Sequence, residues 1–436
     1  MAIFPEDHKI RISRIVNQWV AEGILKPNRS RCLEEIAEDN LKDLIGRNLI
    51  KVQDYGSRNK IKTCTMHDLL RELGLREAQK EKFVCYTMTH SLDNHTRTFD
   101  NNPWLIRTRR SVREFAKPHT LREVLKRGYI CSDGNIVGLV NSRLFDFKAR
   151  YFPDLLNNIL ESLSLLWNLQ TVTIAGSFSE TPINLPAEIW EMPQLRHLKW
   201  EQGELYLPDP PSTNSTNGRR DIIVLINLQT LCKIRNFRCT DEVVVRIPNL
   251  KKLGITYWLF PSGFGWDCYK VYNLAHLRNL ESLFFESEVN VPPNNLRFPR
   301  SLKKLTLRRC GLCWEDLTVV GSLPHLEVLN LMDYAVKGRK WNPVEGQFLE
   351  LKSLRICFTD LEEWIADSSH FPRLEKLQLV SLFFLKEIPY GIGEIPTLQS
   401  ISLSCCSDST NSSAEKIKEE QQNFGNFDLD VRVRVH

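Results

Sequence analysis

Leu302-Lys303-Lys304-Leu305-Thr306-Leu307, then Leu326-Glu327-Val328-Leu329-Asn330-Leu331, Leu351-Lys352-Ser353-Leu354-Arg355-Ile356 and Leu374-Glu375-Lys376-Leu377-Gln378-Leu379 are four copies of one short pattern. A leucine is followed by two residues, a second leucine, one residue and a third apolar side chain. The same pattern reaches outward in both directions. Before these copies it reads Leu169-Val172-Ile174, Leu195-Leu198-Trp200, Leu228-Leu231, Leu250-Leu253-Ile255 and Leu280-Leu283-Phe285, and after them Leu398-Ile401-Leu403. First positions lie between 22 and 33 residues apart, which is the leucine-rich-repeat period. Each unit is one short strand and a return segment. It cannot bury its apolar edge alone, so neighbours stack into a solenoid with a broad binding face. The expected fold class is α/β.

Strand geometry sorts the side chains of each unit. The first, fourth and sixth motif positions turn into the core, and the third, fifth and seventh face the other way. That rule places Lys199, Lys252, Lys304, Arg308, Arg355 and Lys376 on the concave face. Basic residues predominate between Lys304 and Lys376, a pattern suited to an acidic patch on a partner. The solenoid is expected over residues 126–404, with a linker or cap over 81–125 and a C-terminal tail over 405–436. Leu144-Phe145-Asp146-Phe147 reads as part of an eroded early repeat. The Pro- and Asn-rich run between Asp209 and Arg220 reads as a loop.

Residues 1–80 follow a different pattern. Ile12, Ile15, Val16, Trp19 and Val20 fall at helical spacing, and the run ends at Gly23. Leu33, Ile36, Ala37, Leu41, Leu44 and Ile45 mark a second helix. Two strand-like runs, Leu49–Val52 and Ile61–Met66, flank turn residues, and Asp68 suits the N-cap of a third helix. Helices followed by a β-hairpin make a winged helix. Many winged helices bind DNA, but here fifteen Lys/Arg are offset by twelve Asp/Glu. The second helix carries Glu34, Glu35, Glu38, Asp39 and Asp43, which would repel phosphate, so no nucleic-acid partner is expected.

Phe4-Pro5-Glu6-Asp7, Trp19-Val20-Ala21-Glu22-Gly23, Ala37-Glu38 with Leu41 and Leu44, and Met66-His67-Asp68 occur in that order. This series resembles the winged-helix part of the NB-ARC module in plant nucleotide-binding leucine-rich-repeat resistance proteins. The degenerate repeats and the Lys416–Arg434 segment are similar to the late-blight-resistance homologues of the Solanaceae. The resemblance implies a nucleotide-binding role for Met66, His67 and Asp68, with His67 contacting the β-phosphate of ADP and holding a closed state. A helix start and an imidazole N–H both favour an anion. The alternative is that His67 only completes a turn. The resemblance further implies an ADP/ATP switch and a partner that is a pathogen effector, a guarded host protein or the receptor's own NB-ARC domain. It implies a cytoplasmic immune receptor that triggers a hypersensitive response.

One part of that machinery is absent from the sequence. No G-x-x-x-x-G-K-[ST] loop occurs, so this chain alone is expected to bind ADP or ATP weakly or not at all. It reads as the C-terminal part of a larger receptor or as a truncated paralogue.

Composition bounds the alternatives. Hydrophobic content of 42% and charged content of 25% are ordinary for a folded domain, and the net charge is only +5. Residues 103–150 are locally basic, which leaves peripheral membrane association open. Twelve cysteines include Cys310-x-x-Cys313 and adjacent Cys405 and Cys406, but no second pair completes a zinc site, so no metal is expected. No nucleophile motif suggests an enzyme. The rival reading is a non-catalytic repeat adaptor, such as a substrate-recruiting subunit of a ubiquitin ligase.

Overall fold

The computed structural model describes residues 7–80, 144–148, 167–288 and 292–434, apart from 22, 27, 29–30, 57–59, 176–182, 201–202, 212–221, 259–264 and 294. The linker or cap assigned to 81–125 and most of the basic stretch 103–150 lie outside the described residues. The chain divides into two compact units, Met1–Phe178 and Ser179–His436.

The first unit begins with a winged helix. A two-residue strand β1 (Ile10–Arg11) leads into α1 (Ile12–Ala21), followed by α2 (Leu33–Gly46), β2 (Ile50–Tyr55), β3 (Ile61–Met66) and α3 (Asp68–Lys80). Strands β2 and β3 form the antiparallel wing, with Ile50 opposite Met66. The sequence reading misses β1, which is too short to show alternation and pairs with β3 through Ile10 opposite Cys64. Helix α1 ends as expected at Gly23, whose φ of 70° suits a residue without a side chain. Its apolar stripe enters two clusters. Ile15 joins Ile10, Leu41, Ile50 and Cys64. Val16 and Val20 join Leu25 and Ala37. The acids of α2 are partly neutralised on the helix surface, Asp39 by Arg31 and Lys42 and Asp43 by Arg47.

Further along this unit, β4 (Leu144–Lys148) pairs in parallel with β5 (Thr171–Ala175). Leu169, Val172 and Ile174 are fully buried, so the first repeat motif keeps the expected register.

The second unit is the solenoid. In chain order its strands begin with β6 (Ile183–Asn184), β7 (His197–Trp200) and β8 (Leu205–Tyr206). They continue with β9 (Thr230–Arg235), β10 (Lys252–Tyr257), β11 (Ser282–Ser287) and β12 (Lys304–Arg308). Then come β13 (Leu312–Cys313), β14 (Val328–Met332), β15 (Val336–Lys337), β16 (Lys340–Trp341), β17 (Ser353–Cys357) and β18 (Glu363–Trp364). The last are β19 (Lys376–Val380), β20 (Ser400–Ser404) and β21 (Asp430–Arg434). One long row runs β7, β9, β10, β11, β12, β14, β17, β19, β20 and β21, parallel at every step.

The motif leucines lie in register across that row, Leu283 beside Leu305, Leu329, Leu354 and Leu377. All five are at most 1% exposed. Burying one leucine contributes about 1.5–3 kcal/mol, and repetition of that term holds the stack together. On the far side of the core Trp341 stacks between Trp314 and Trp364, with ring centroids 4.7 and 5.3 Å away.

A second device pins the register. From β10 to β19 the residue after the first motif leucine alternates in charge as Lys251, Glu281, Lys303, Glu327, Lys352 and Glu375. Backbone bonds of 2.8–2.9 Å connect each of these to the next, and Lys303 Nζ lies 3.3 Å from Glu281 Oε1. A slip of one repeat would set like charges side by side.

The segment 405–436, expected as a tail, is instead a further turn of the solenoid. Ser407 caps a helix over Asp408–Asn423 by accepting from Thr410 N, and Ala414 and Ile417 of that helix are buried. Val431 and Val433 of β21 then lie beside Ile401 and Leu403. The valine alternation supplies a strand where no leucine motif announces one.

Candidate functional site

Met66 ends β3 half-buried, with Ile50 as its partner across the wing. Because Met66 remains in the sheet, a single residue turns the corner, and α3 starts at Asp68. The expected N-cap at Asp68 is therefore displaced by one. His67 holds the cap place, its carbonyl accepting from Arg71 N at 2.9 Å. Asp68 is the first-turn acid of α3, where the helix dipole favours it. Both residues are exposed. Asp68 does not hold the imidazole, since no hydrogen bond joins the two side chains among the described residues. Leu69 and Leu73, one turn apart on α3, are 72% and 52% exposed.

A whole nucleotide would need a glycine-rich cradle for its phosphates and a cleft for its base. This segment offers one imidazole and one helix N-terminus, which fits a single phosphate contact and no more.

The concave candidates form a second set. Lys199 lies on β7, Lys252 on β10, Lys304 and Arg308 on β12, Arg355 on β17 and Lys376 on β19. Each alternates with buried leucines, so all six share the face opposite the core. Lys252 and Lys304 flank Ser282 in one register row, which also contains Val328, Ser353 and Lys376. Along this row Lys252 and Lys304 are separated by roughly 10 Å, two strand spacings.

The charge of Arg308 is held within the chain by two carboxylates. Its Nη1 lies 3.1 Å from Glu286 Oε1. Its Nη2 lies 2.6 Å from Asp333 Oδ2, and Nε donates to the same oxygen at 2.7 Å. Glu286 also faces Arg309, which bonds Glu288 in turn. Burial pushes the Glu286 carboxyl above its ordinary range, while Arg308, Lys233 and Arg309 pull it back. The sequence held a signal for this network, since Glu286 and Arg308 occupy the seventh motif position of adjoining repeats.

The two cysteines of the C-x-x-C do not converge. Cys310 is buried, its thiol donates to Arg308 O at 3.4 Å, and burial pushes it up to about 12. Cys313 is exposed. Among the described residues no group of three His, Cys, Asp or Glu could hold a metal ion, and no helix is long and apolar enough to cross a membrane.

Residues 3–74 match the family model described as the disease resistance protein winged helix domain. The whole chain is 30% identical to the late blight resistance protein homolog R1B-16 of Solanum demissum, over 96% of this chain and 34% of that protein. It is 29% identical to late blight resistance protein R1-A of the same species, over 96% of this chain and 35% of that one. A further homolog from this species is 29% identical over 97% of this chain and 58% of its own length. The chain thus spans between a third and three-fifths of these curated relatives. Among solved structures an internalin from Listeria monocytogenes aligns with a TM-score of 0.36 at 16% identity, covering 68% of this chain and 82% of that one. The chain is a winged-helix domain of the disease-resistance type followed by a leucine-rich-repeat solenoid, and it is a homologue of the late blight resistance proteins.

Proposed function

We propose that this chain is the switch-and-recognition portion of an intracellular plant immune receptor. The observation that carries the reading is the union, in one chain, of a disease-resistance winged helix with a repeat array related throughout to late blight resistance proteins. In this reading the concave cations Lys252, Lys304, Arg355 and Lys376 meet an acidic patch on a pathogen effector, on a guarded host protein or on the receptor's own nucleotide-binding domain. His67 supplies one phosphate contact to ADP held mainly by that domain. Release of the closed state leads to a hypersensitive response in the cytoplasm, and the chain itself catalyses nothing.

Two measurements follow. Joined to a P-loop domain and expressed in leaf tissue with its eliciting molecule, the protein should lose its response when Lys304, Arg355 and Lys376 are all changed to Glu. Accumulation must remain normal. An unchanged response would contradict the concave assignment. Calorimetry on the chain alone should find ADP binding no tighter than about 1 mM, because a single phosphate contact offsets little of the cost of association. A micromolar affinity would overturn that.

A further inference from the structure

The last strand of the solenoid leaves one edge of the sheet open. Among the described residues β21 pairs with β20 alone. Asp430 N donates to Gln399 O at 3.0 Å, and Arg434 O accepts from Cys405 N at 3.2 Å. Backbone groups of successive residues point to opposite edges of a strand, so Val431 and Val433 turn their N–H and C=O away from β20. The core is open on the same side. Ile401 and Leu403 of β20 are 0% and 2% exposed, while Val431 and Val433 beside them are only half-buried.

A row of charges of one sign would guard such an edge. This strand carries both signs, sorted by position. It reads Asp428-Leu429-Asp430-Val431-Arg432-Val433-Arg434, with apolar and charged residues alternating and both acids ahead of both arginines. The four charged side chains are exposed. Asp430 Oδ2 lies 2.7 Å from Arg432 Nη2, so the two share a face. On β20 the residues beside Asp430, Arg432 and Arg434 are Ser400, Ser402 and Ser404, so that strand offers them no opposite charge.

Such a strand complements itself when it is turned round. A second copy laid antiparallel, with Val431 opposite Val431, sets Asp430 opposite Arg432 and Asp428 opposite Arg434, each pair repeated by the symmetry. Leu429 then meets Val433. The central valines use their outward N–H and C=O groups to exchange hydrogen bonds, and Asp430 and Arg432 fall at the closer, non-hydrogen-bonded sites. A parallel copy in register sets acid beside acid and arginine beside arginine. An antiparallel copy centred on Arg432 sets two arginines face to face.

We propose that β21 is the interface of a two-fold dimer, in which a second copy of this chain extends the sheet by antiparallel pairing of residues 428–434. The contact is isologous and closes on itself. Main-chain bonds supply affinity, and the sorted charges set direction and register.

The test is sedimentation velocity on the full chain at rising concentration, up to about 100 μM, a range suited to a small interface. The parent chain should pass from monomer to dimer. The variant Asp428→Arg, Asp430→Arg carries one sign of charge along the strand and should dimerise more than about tenfold more weakly. The variant Arg432→Asp, Arg434→Asp should do the same. An equimolar mixture of the two variants should dimerise again, since every charged pair then joins an arginine to an aspartate. These side chains face solvent, so both variants should keep the parent's thermal midpoint. A parent chain that stays monomeric over the whole range would overturn the proposal and leave the edge to a different polypeptide. Dimers of either variant at the parent's strength, or a mixture that stays monomeric, would overturn it too.

Discussion

Leu329 of the solenoid is fully buried, whereas Leu69 of α3 is 72% exposed. Both are leucines on regular elements, and both follow apolar patterns in the sequence. The difference lies in what completes them. In the solenoid, Leu305 and Leu354 on the neighbouring strands cover Leu329, so each repeat is finished by the next. In the winged helix the core clusters draw on α1, α2 and the strands, and Leu69 and Leu73 of α3 stay exposed. A repeat array therefore states its own packing. A helix face beside a suspected switch motif states a contact to be made.

That comparison sets the largest expected effect. Leu329→Ala should destabilise the second unit by about 2–5 kcal/mol, the cost of a cavity in a core that cannot collapse. Leu69→Ala should change stability by less than about 0.5 kcal/mol. Urea unfolding followed by circular dichroism measures both. Comparable losses would mean that α3 packs as tightly as the repeats, and the contrast would disappear.

The charge ladder sharpens the solenoid side. Glu327→Lys places a third cation between Lys303 and Lys352 and should cost about 0.5–1 kcal/mol at low salt. The loss should shrink as salt rises, because these side chains are only partly buried and keep contact with solvent. A loss independent of ionic strength would show that Glu327 acts through packing.

The smallest effect concerns acid. The Asp367 carboxylate accepts from Ser369 Oγ and Ser369 N, and its Oδ1 lies 2.8 Å from His370 Nδ1. These bonds, Ser369 first, hold its pKa down at about 2. The folded value lies below the unfolded one of about 3.9. Its contribution is therefore present above about pH 4 and is lost as pH falls toward 2. Asp367→Asn should lower the thermal midpoint slightly at pH 7 and converge with the parent near pH 2. A constant gap across that window would show that the loop does not depend on the charge.

Much of this architecture is legible because it repeats. Leucine at fixed offsets fixes strand, face and register together, and the same offsets place Lys304, Arg355 and Lys376 outward. What escapes is whatever occurs once. Strand β1 has two residues and no period. Strand β21 carries valines in place of leucines, so the last turn of the solenoid reads as a tail. Arg308 reads as a surface cation because spacing does not show that Asp333, beyond the motif, reaches back to it. At Met66-His67-Asp68 the sequence places the strand end and helix start within one residue, but the outward direction of His67 becomes visible only once Met66 is seen paired across the wing.

The central claim is that α3 belongs to a switch and the concave face to recognition. The most direct measurement is cell death in leaf tissue from a receptor in which a P-loop domain precedes this chain. Under the proposed phosphate contact, His67→Ala would remove a charge-assisted hydrogen bond made in the closed state, worth roughly 1.5–3 kcal/mol, a ten- to hundredfold shift in a two-state balance. The account predicts cell death without any eliciting molecule, at normal protein level, and the same outcome when Lys304, Arg355 and Lys376 are also changed to Glu, since the switch then no longer waits on recognition. Normal accumulation of His67→Ala without autonomous cell death would contradict it.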